Sequence, residues 1–233
     1  LYILTNDNAP NFRFITADKS NPGYENWEEI IPQGETVIEN VEVLKDGRLI
    51  VQDKKDIQSR LTLCDGNGKV IGPVQLPEVG NVNSVSYDRD EDSVYIYMST
   101  FTSPGKMYVA SPENFKWRLY YKRDIPIDMS NITGEIRFYE SYDGTRILVI
   151  MVYRNDMKPD GNNPVLLTGY GGFNIGISPG YYGGYAALIN RGVVVVEPGI
   201  RGGDEYGEHW HRDGMLMKKQ NTFDDFNACA DWL

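Results

Sequence analysis

The sequence is poor in cysteine and in histidine, with two of each among 233 residues. Cys64 and Cys229 lie far apart, in a strand-like and a helix-like segment, which excludes a disulfide framework and leaves the redox compartment open. Long apolar runs are also missing. Stretches such as Val193 to Val196 fall far short of the roughly 20 residues that span a bilayer. Positive charge is in the minority. The 23 Lys and Arg against 33 Asp and Glu give a formal net charge of −10, which argues against nucleic acid or an anionic membrane as a partner, because both need clustered basic side chains. The acidic balance suits a soluble chain. There is no basic-then-apolar leader either: the chain opens on Leu1-Tyr-Ile-Leu-Thr-Asn6, which reads as a strand, so further sequence is expected ahead of it.

What is present is 41% hydrophobic residues and many aromatics, including 16 tyrosines, suited to strand faces that stack in layers. Up to residue 121 the chain consists of short β-rich runs separated by turn residues. Three hairpins echo one another: Leu1 to Leu4 with Asn11 to Asp18, Leu49 to Val51 with Ser59 to Asp65, and Val94 to Tyr97 with Gly105 to Ser111. Their closing turns at Asp18, Asp65 and Ser111 are 47 and 46 residues apart, the period of propeller blades with about four strands each. Such sheets need neighbours on both faces, so more blades are expected than these residues supply.

From about residue 135 the rhythm changes. Glu135 to Glu140 and Arg146 to Tyr153 read as a hairpin turned by Asp143-Gly144. Strands and helices then alternate: a strand at Pro164 to Thr168, a helix from Tyr181 to Arg191 ending at Gly192, and a β-branched strand at Val193 to Glu197 typical of a doubly covered sheet. A last helix is expected over Thr222 to Leu233, with Thr222 and Asp225 as its capping box and Phe223, Phe226, Ala230 and Leu233 as its apolar stripe. This is an α/β layer architecture.

Several motifs fail on physical grounds. Gly176-Ile-Ser178-Pro-Gly180 spells the Gly-x-Ser-x-Gly elbow of hydrolases, but the oxyanion hole there uses the backbone N–H of the residue after the serine, and Pro179 has none. Ser178 is expected to cap the following helix. His209 and His211 match no metal-ligand spacing and precede the place for a nucleophile, so they read as loop residues that anchor the glycine-rich segment. No metal site is expected. Asp88 to Asp92 lacks the glycine and the bidentate glutamate of a calcium loop and reads as a solvated turn. Gly169, Gly171 and Gly172 do not complete a dinucleotide fingerprint, because Asn174 takes the last glycine's place.

What remains is Gly169-Tyr-Gly-Gly-Phe-Asn174, directly after an apolar strand, where ligands bind in open α/β folds. Tyr170 could donate a hydrogen bond to an oxyanion from this loop, or simply pack on it. Together with Arg201-Gly-Gly-x-Glu-Tyr-Gly207, Trp210-His211, Lys219-Gln-Asn-Thr-Phe-Asp-Asp-Phe226 and the Thr102-Ser-Pro-Gly105 hairpin, the loop resembles consecutive blocks of the prolyl oligopeptidase family of serine peptidases.

The resemblance implies the last blades of a seven-bladed β-propeller over residues 1–121 and the N-terminal part of an α/β-hydrolase domain over 122–233. It implies cleavage of short peptides after proline, with no cofactor, by a triad whose Ser, Asp and His follow residue 233, so that this stretch alone would be inert. Tyr170 matches the family's oxyanion-hole tyrosine and Phe173 an aromatic wall of its proline pocket. Asp204 departs from the family by replacing a common glycine. The expected partners are short peptides and the remainder of the same polypeptide. The intact protein is expected to be a cytoplasmic monomer, with a periplasmic or secreted location as the alternative. Cleavage after basic residues and a non-catalytic peptide-binding propeller are the rival readings.

Overall fold

Alternation of side chains builds the first half of the chain. A computed structural model describes all 233 residues, Leu1–Leu233, in two units: residues 1–98 with 106–122, and residues 99–105 with 123–233. The first unit holds three sheets whose strand order follows the chain. They are β1 (Tyr2–Thr5), β2 (Arg13–Thr16) and β3 (Glu28–Ile31); β4 (Val37–Val43), β5 (Leu49–Lys55), β6 (Gln58–Cys64) and β7 (Val70–Val74); and β8 (Asn81–Asp88), β9 (Ser93–Thr100), β10 (Ser103–Ala110) and β11 (Arg118–Lys122). The expected blade period is therefore real, one sheet per repeat.

In β9, Val94, Ile96 and Met98 are fully buried while Tyr95 and Tyr97 take the other face. They join Leu44, Ile50, Leu61 and Val85 in a core between the second and third sheets. Phe14, Ile38, Leu49 and Cys64 fill the space between the first and second. The Asp88–Asp92 segment is the expected turn: one Asp88 oxygen accepts the N–H groups of Asp90 and Glu91. The β5–β6 turn is less predictable, with Asp56 and Ile57 both left-handed at φ 48° and 61°. That conformation costs a branched residue about 1–2 kcal/mol, but the Ile57 side chain is fully buried, which contributes about 1.5–3 kcal/mol. Burial wins.

The second unit is built on a sheet ordered β12 (Ile132–Glu140), β13 (Arg146–Arg154), β15 (Val194–Pro198), β14 (Val165–Leu167). The β12–β13 hairpin pairs antiparallel from Ile132 opposite Arg154 to Glu140 opposite Arg146, and β14 runs parallel to β15. Ile147 to Ile150 and Val194 to Val196 are buried almost completely, as continuous apolar strands covered on both faces must be. No helix is long and apolar enough to cross a membrane.

Two helices differ from the sequence reading. The expected Tyr181–Arg191 helix is a 3-10 turn at Gly183–Tyr185 followed by the single turn α1 (Ala186–Ile189). The pair Gly183-Gly184 disfavours helix, and the Tyr181 ring folds back over Gly183, where any Cβ would collide with it. Ser178 consequently caps nothing. Gly192 ends the segment in the left-handed conformation as expected, with φ 92°. Beyond the short α2 (Glu208–Arg212), the last helix, α3 (Lys219–Trp232), begins three residues earlier than the expected capping box. Thr222 and Asp225 are therefore interior residues, and the buried stripe is Thr222, Asp225, Ala228 and Cys229, while Phe223, Ala230 and Leu233 face out.

The stripe is rotated because Asp225, fully buried, has an ion partner supplied from elsewhere in the chain. Arg201, itself 5% exposed, spends its Nε and Nη2 on Asp225 and its Nη1 on Asp143. Asp225 also accepts from the Arg201 backbone N–H and the Ser141 hydroxyl, at 3.0 and 2.6 Å. Hydrogen bonding by Asp225 raises the guanidinium further above its ordinary value, against burial. Thr222 donates its hydroxyl to the Arg201 carbonyl at 2.7 Å.

Two predictions follow from these placements. Burial would raise the Asp143 carboxyl, but hydrogen bonds from Arg201 and Thr145 bring it from 3.8 down to about 2. A carboxylate with a lowered folded pKa stabilises fully above its unfolded value and loses that contribution as pH falls through the folded value. Asp143→Asn should therefore lower Tm at about pH 5, and the gap from the parent should close as pH falls from 3.8 towards about 2; a gap constant with pH refutes the assignment. Burial also pushes the Cys229 thiol up to about 12 and raises that of Cys64. Both are free and buried, so an aromatic disulfide reagent should titrate them only on unfolding; fast reaction of either in the native protein contradicts the packing.

Candidate active site

The loop after β14 is held in a conformation that most sequences could not adopt. Thr168 N–H still bonds the Val196 carbonyl, extending the β14–β15 ladder by one step. Gly171 then turns left-handed at φ 55°, and a Cβ there would lie 2.5 Å from both Ile200 and Thr222 side-chain atoms. Gly172 and Ile175 close a tight turn through an Ile175 N–H to Gly172 carbonyl bond of 3.0 Å, with Phe173 and Asn174 at its corners at φ 55° and 57°. Two positive φ values make this a mirror-image turn normally built from Asn-Gly. Asn174 tolerates the conformation; Phe173 does so at a cost of about 1–2 kcal/mol. Strain of this kind collects at ligand-binding sites.

The turn displays its apolar corner. Phe173 is 82% exposed and Tyr170 57% exposed, with ring centroids 6.4 Å apart. The structure thus brings the two sequence-predicted residues into one aromatic pair on one loop. Their assigned roles are not visible in that geometry alone.

A second loop braces the first. Gly202, at φ 108°, lies so close to the Gly171 carbonyl that a Cβ would collide with it. The Gly202 carbonyl accepts the Asn174 N–H at 3.1 Å and faces His211 Nδ1 at 2.9 Å. The Asn174 nitrogen also lies 3.1 Å from His211 Nδ1. A proton on Nδ1 satisfies the Gly202 carbonyl, which then accepts from imidazole and amide together, whereas a bare Nδ1 would set two lone pairs against each other. His211 is therefore a loop anchor, as the sequence suggested, although it sits on α2 and not in a loop. The cradle closes with the Trp210 indole donating to the Gly199 carbonyl at 3.2 Å.

Gly176 leaves room for the Asp204 carboxylate, and the Ile177 N–H donates to Glu205 at 2.9 Å. Ser178 has no strand directly before it and no helix directly after it, so the elbow reading fails structurally as well. No cluster of His, Cys, Asp and Glu is arranged to hold a metal ion.

One residue of the site escaped the sequence reading. Lys219, the first residue of α3, donates from Nζ to the Gly171 carbonyl at 2.6 Å, 48 residues earlier in the chain. A lysine two turns before an apolar run carries no signal of this; only the fold brings it under the loop.

Comparison with known proteins places the chain in a family. Residues 1–123 match the prolyl oligopeptidase N-terminal β-propeller domain, and residues 181–233 match the prolyl oligopeptidase family. Over the whole chain it is 32% identical to a prolyl endopeptidase of Elizabethkingia meningoseptica and 32% identical to a prolyl oligopeptidase of Omphalotus olearius, covering 33% and 32% of their lengths. A chain solved in a structural and mechanistic study of two prolyl endopeptidases superposes with a TM-score of 0.90 at 36% identity, with all of this chain and 34% of that one covered. Prolyl oligopeptidase B of Galerina marginata, bound to a 35-residue hydrolysis and macrocyclization substrate, gives 0.88 at 28% identity, with 99% and 33% covered. The chain spans about a third of the length of these relatives. The match of the N-terminal β-propeller model over residues 1–123, with the family match over 181–233, shows that this chain belongs to the prolyl oligopeptidase family.

Proposed function

We propose that the whole protein is a serine oligopeptidase that hydrolyses short peptides on the carboxyl side of proline, and that residues 1–233 supply propeller blades and one half of its active site. The observation that carries this is the braced loop presenting Tyr170 beside Phe173. As the scissile carbonyl becomes tetrahedral, the Tyr170 hydroxyl donates to the developing oxyanion. A preorganised donor of this kind contributes about 100- to 1000-fold in kcat. Phe173 forms an apolar wall against the prolyl ring, which suits a residue that has no backbone N–H to satisfy.

The nucleophile, base and orienting carboxylate come from outside residues 1–233. Within them His211 is turned to the backbone of Gly202 and Asn174. The domain boundary falls at 121/122, beside the change of unit after Lys122.

The full-length protein should cleave a proline-blocked fluorogenic dipeptide far faster than its arginine-blocked counterpart, while residues 1–233 alone turn over neither. Preference for arginine would favour the basic-residue reading, and inertness of the full-length protein the non-catalytic one. Phe173→Gly separates fold from function. Relief of the left-handed strain should raise stability by about 1 kcal/mol, and loss of the wall should raise KM for the proline substrate about tenfold. An unchanged KM removes Phe173 from the pocket.

A further inference from the structure

The most permissive point in the loop is next to the proposed oxyanion donor. Gly171 follows Tyr170 directly, and a glycine can rotate its carbonyl over a far wider range than any other residue. Something must fix that peptide if the Tyr170 hydroxyl is to be preorganised. Packing by Ile200 and Thr222 limits where the Gly171 Cα can sit, since both crowd the space a Cβ would take. Gly202 crowds the Gly171 carbonyl from one side, and the donor that holds the carbonyl's direction is Lys219. Its Nζ lies 2.6 Å from the Gly171 oxygen in a half-buried setting and 5.8 Å from the centroid of the Phe223 ring. A charged donor at this distance makes a strong hydrogen bond. The base of Lys219 is rigid in turn, because α3 is fastened to the neighbouring loop by Asp225 to Arg201 and by Thr222 to the Arg201 carbonyl.

We infer that Lys219 is a positioning residue of the oxyanion half-site, holding the Gly171 peptide so that Tyr170 meets the transition state in register. It touches no reacting atom and acts through Tyr170, so the inference rests on the proposed role of that tyrosine. Its removal lowers kcat more than it raises KM, because the tyrosine bond is made in the transition state and not to the ground-state substrate.

The test is a double-mutant cycle in the full-length protein with a proline-blocked substrate. Tyr170→Phe alone should lower kcat about 100-fold. Lys219→Met alone should lower kcat about tenfold with KM changed less than about twofold. In the Tyr170→Phe background the same Lys219→Met change should cost less than about twofold, because there is no hydroxyl left to misplace. Lys219→Arg, which keeps a charged donor, should recover most of the loss. A purely structural lysine gives a different pattern, with the same factor lost in both backgrounds, and that result overturns the inference. Should Lys219→Met lower Tm below the assay temperature, Lys219→Gln enters the same cycle with the same criterion. If Tyr170→Phe leaves kcat within about twofold of the parent, the oxyanion reading itself fails, a result seen before Lys219 is changed.

Discussion

The hydrolase-side unit depends on one buried ion pair, Arg201 with Asp225. Asp225 is fully buried and Arg201 nearly so, and further hydrogen bonds complete each: the Ser141 hydroxyl and the Arg201 backbone N–H for the carboxylate, Asp143 for the guanidinium. A buried pair contributes little net stability when intact, but removing one partner strands the other and costs about 3–5 kcal/mol. Its value here is geometric. It joins the β12–β13 hairpin end, the glycine-rich loop after β15 and α3 at a single point. Those three segments are 58 and 24 residues apart in sequence, and no apolar contact could fix their mutual orientation so narrowly, because apolar contacts are not directional.

The strained loop is tolerable because of that rigidity. Phe173 and Asn174 in a mirror-image turn and Gly171 at φ 55° make a segment whose local preferences run against its conformation. Two bonds from outside hold it, Lys219 to the Gly171 carbonyl and the Asn174 amide to the Gly202 carbonyl, which His211 Nδ1–H braces in turn. Lys219 and Gly202 both belong to the elements that Arg201 and Asp225 lock. A sequence with Gly at 173 would form the turn more easily, but would have nothing to display from it. Local instability and an exposed aromatic ring are two sides of the same choice.

Much of this was legible in the sequence, and the failures share a cause. Blade spacing, the Asp143-Gly144 turn and the continuous β-branched run at Val193 to Glu197 are patterns written along the chain, and the structure has all of them, the last as Val194–Pro198. The glycine blocks identified the site because glycine is required wherever backbone approaches backbone, as at Gly202 against Gly171. The capping box at Thr222 and Asp225 misled because its residue types suit a helix start equally well; what moved them inside was Arg201, whose proximity is set by tertiary structure. The helix expected from Tyr181 was broken by a ring packing on Gly183, and periodicity does not register that either. Lys219 stood out only as the first residue of a matching block, and its reach to Gly171 had no local sign. Period and glycine placement are written locally, whereas buried charge pairs and long-range braces are written only in the fold.

Charge balance makes the last of these intelligible. The chain carries a net charge of −10, and Asp143, Asp204, Glu205 and Asp213 all lie on or near the loops that surround the site. Two of these carboxylates have cationic partners, Asp143 in Arg201 and Asp213 in Lys218. A site for a developing oxyanion needs donors fixed in advance, because reorienting them during reaction would forfeit the gain. Arg201 is neutralised by two carboxylates and Lys218 by Asp213. Lys219, paired with a carbonyl and not an acid, keeps its full charge beside the Tyr170 loop. Of these three cations Lys219 alone spends its side-chain donor on the backbone, and a peptide needs such a donor if its direction is to be set in advance.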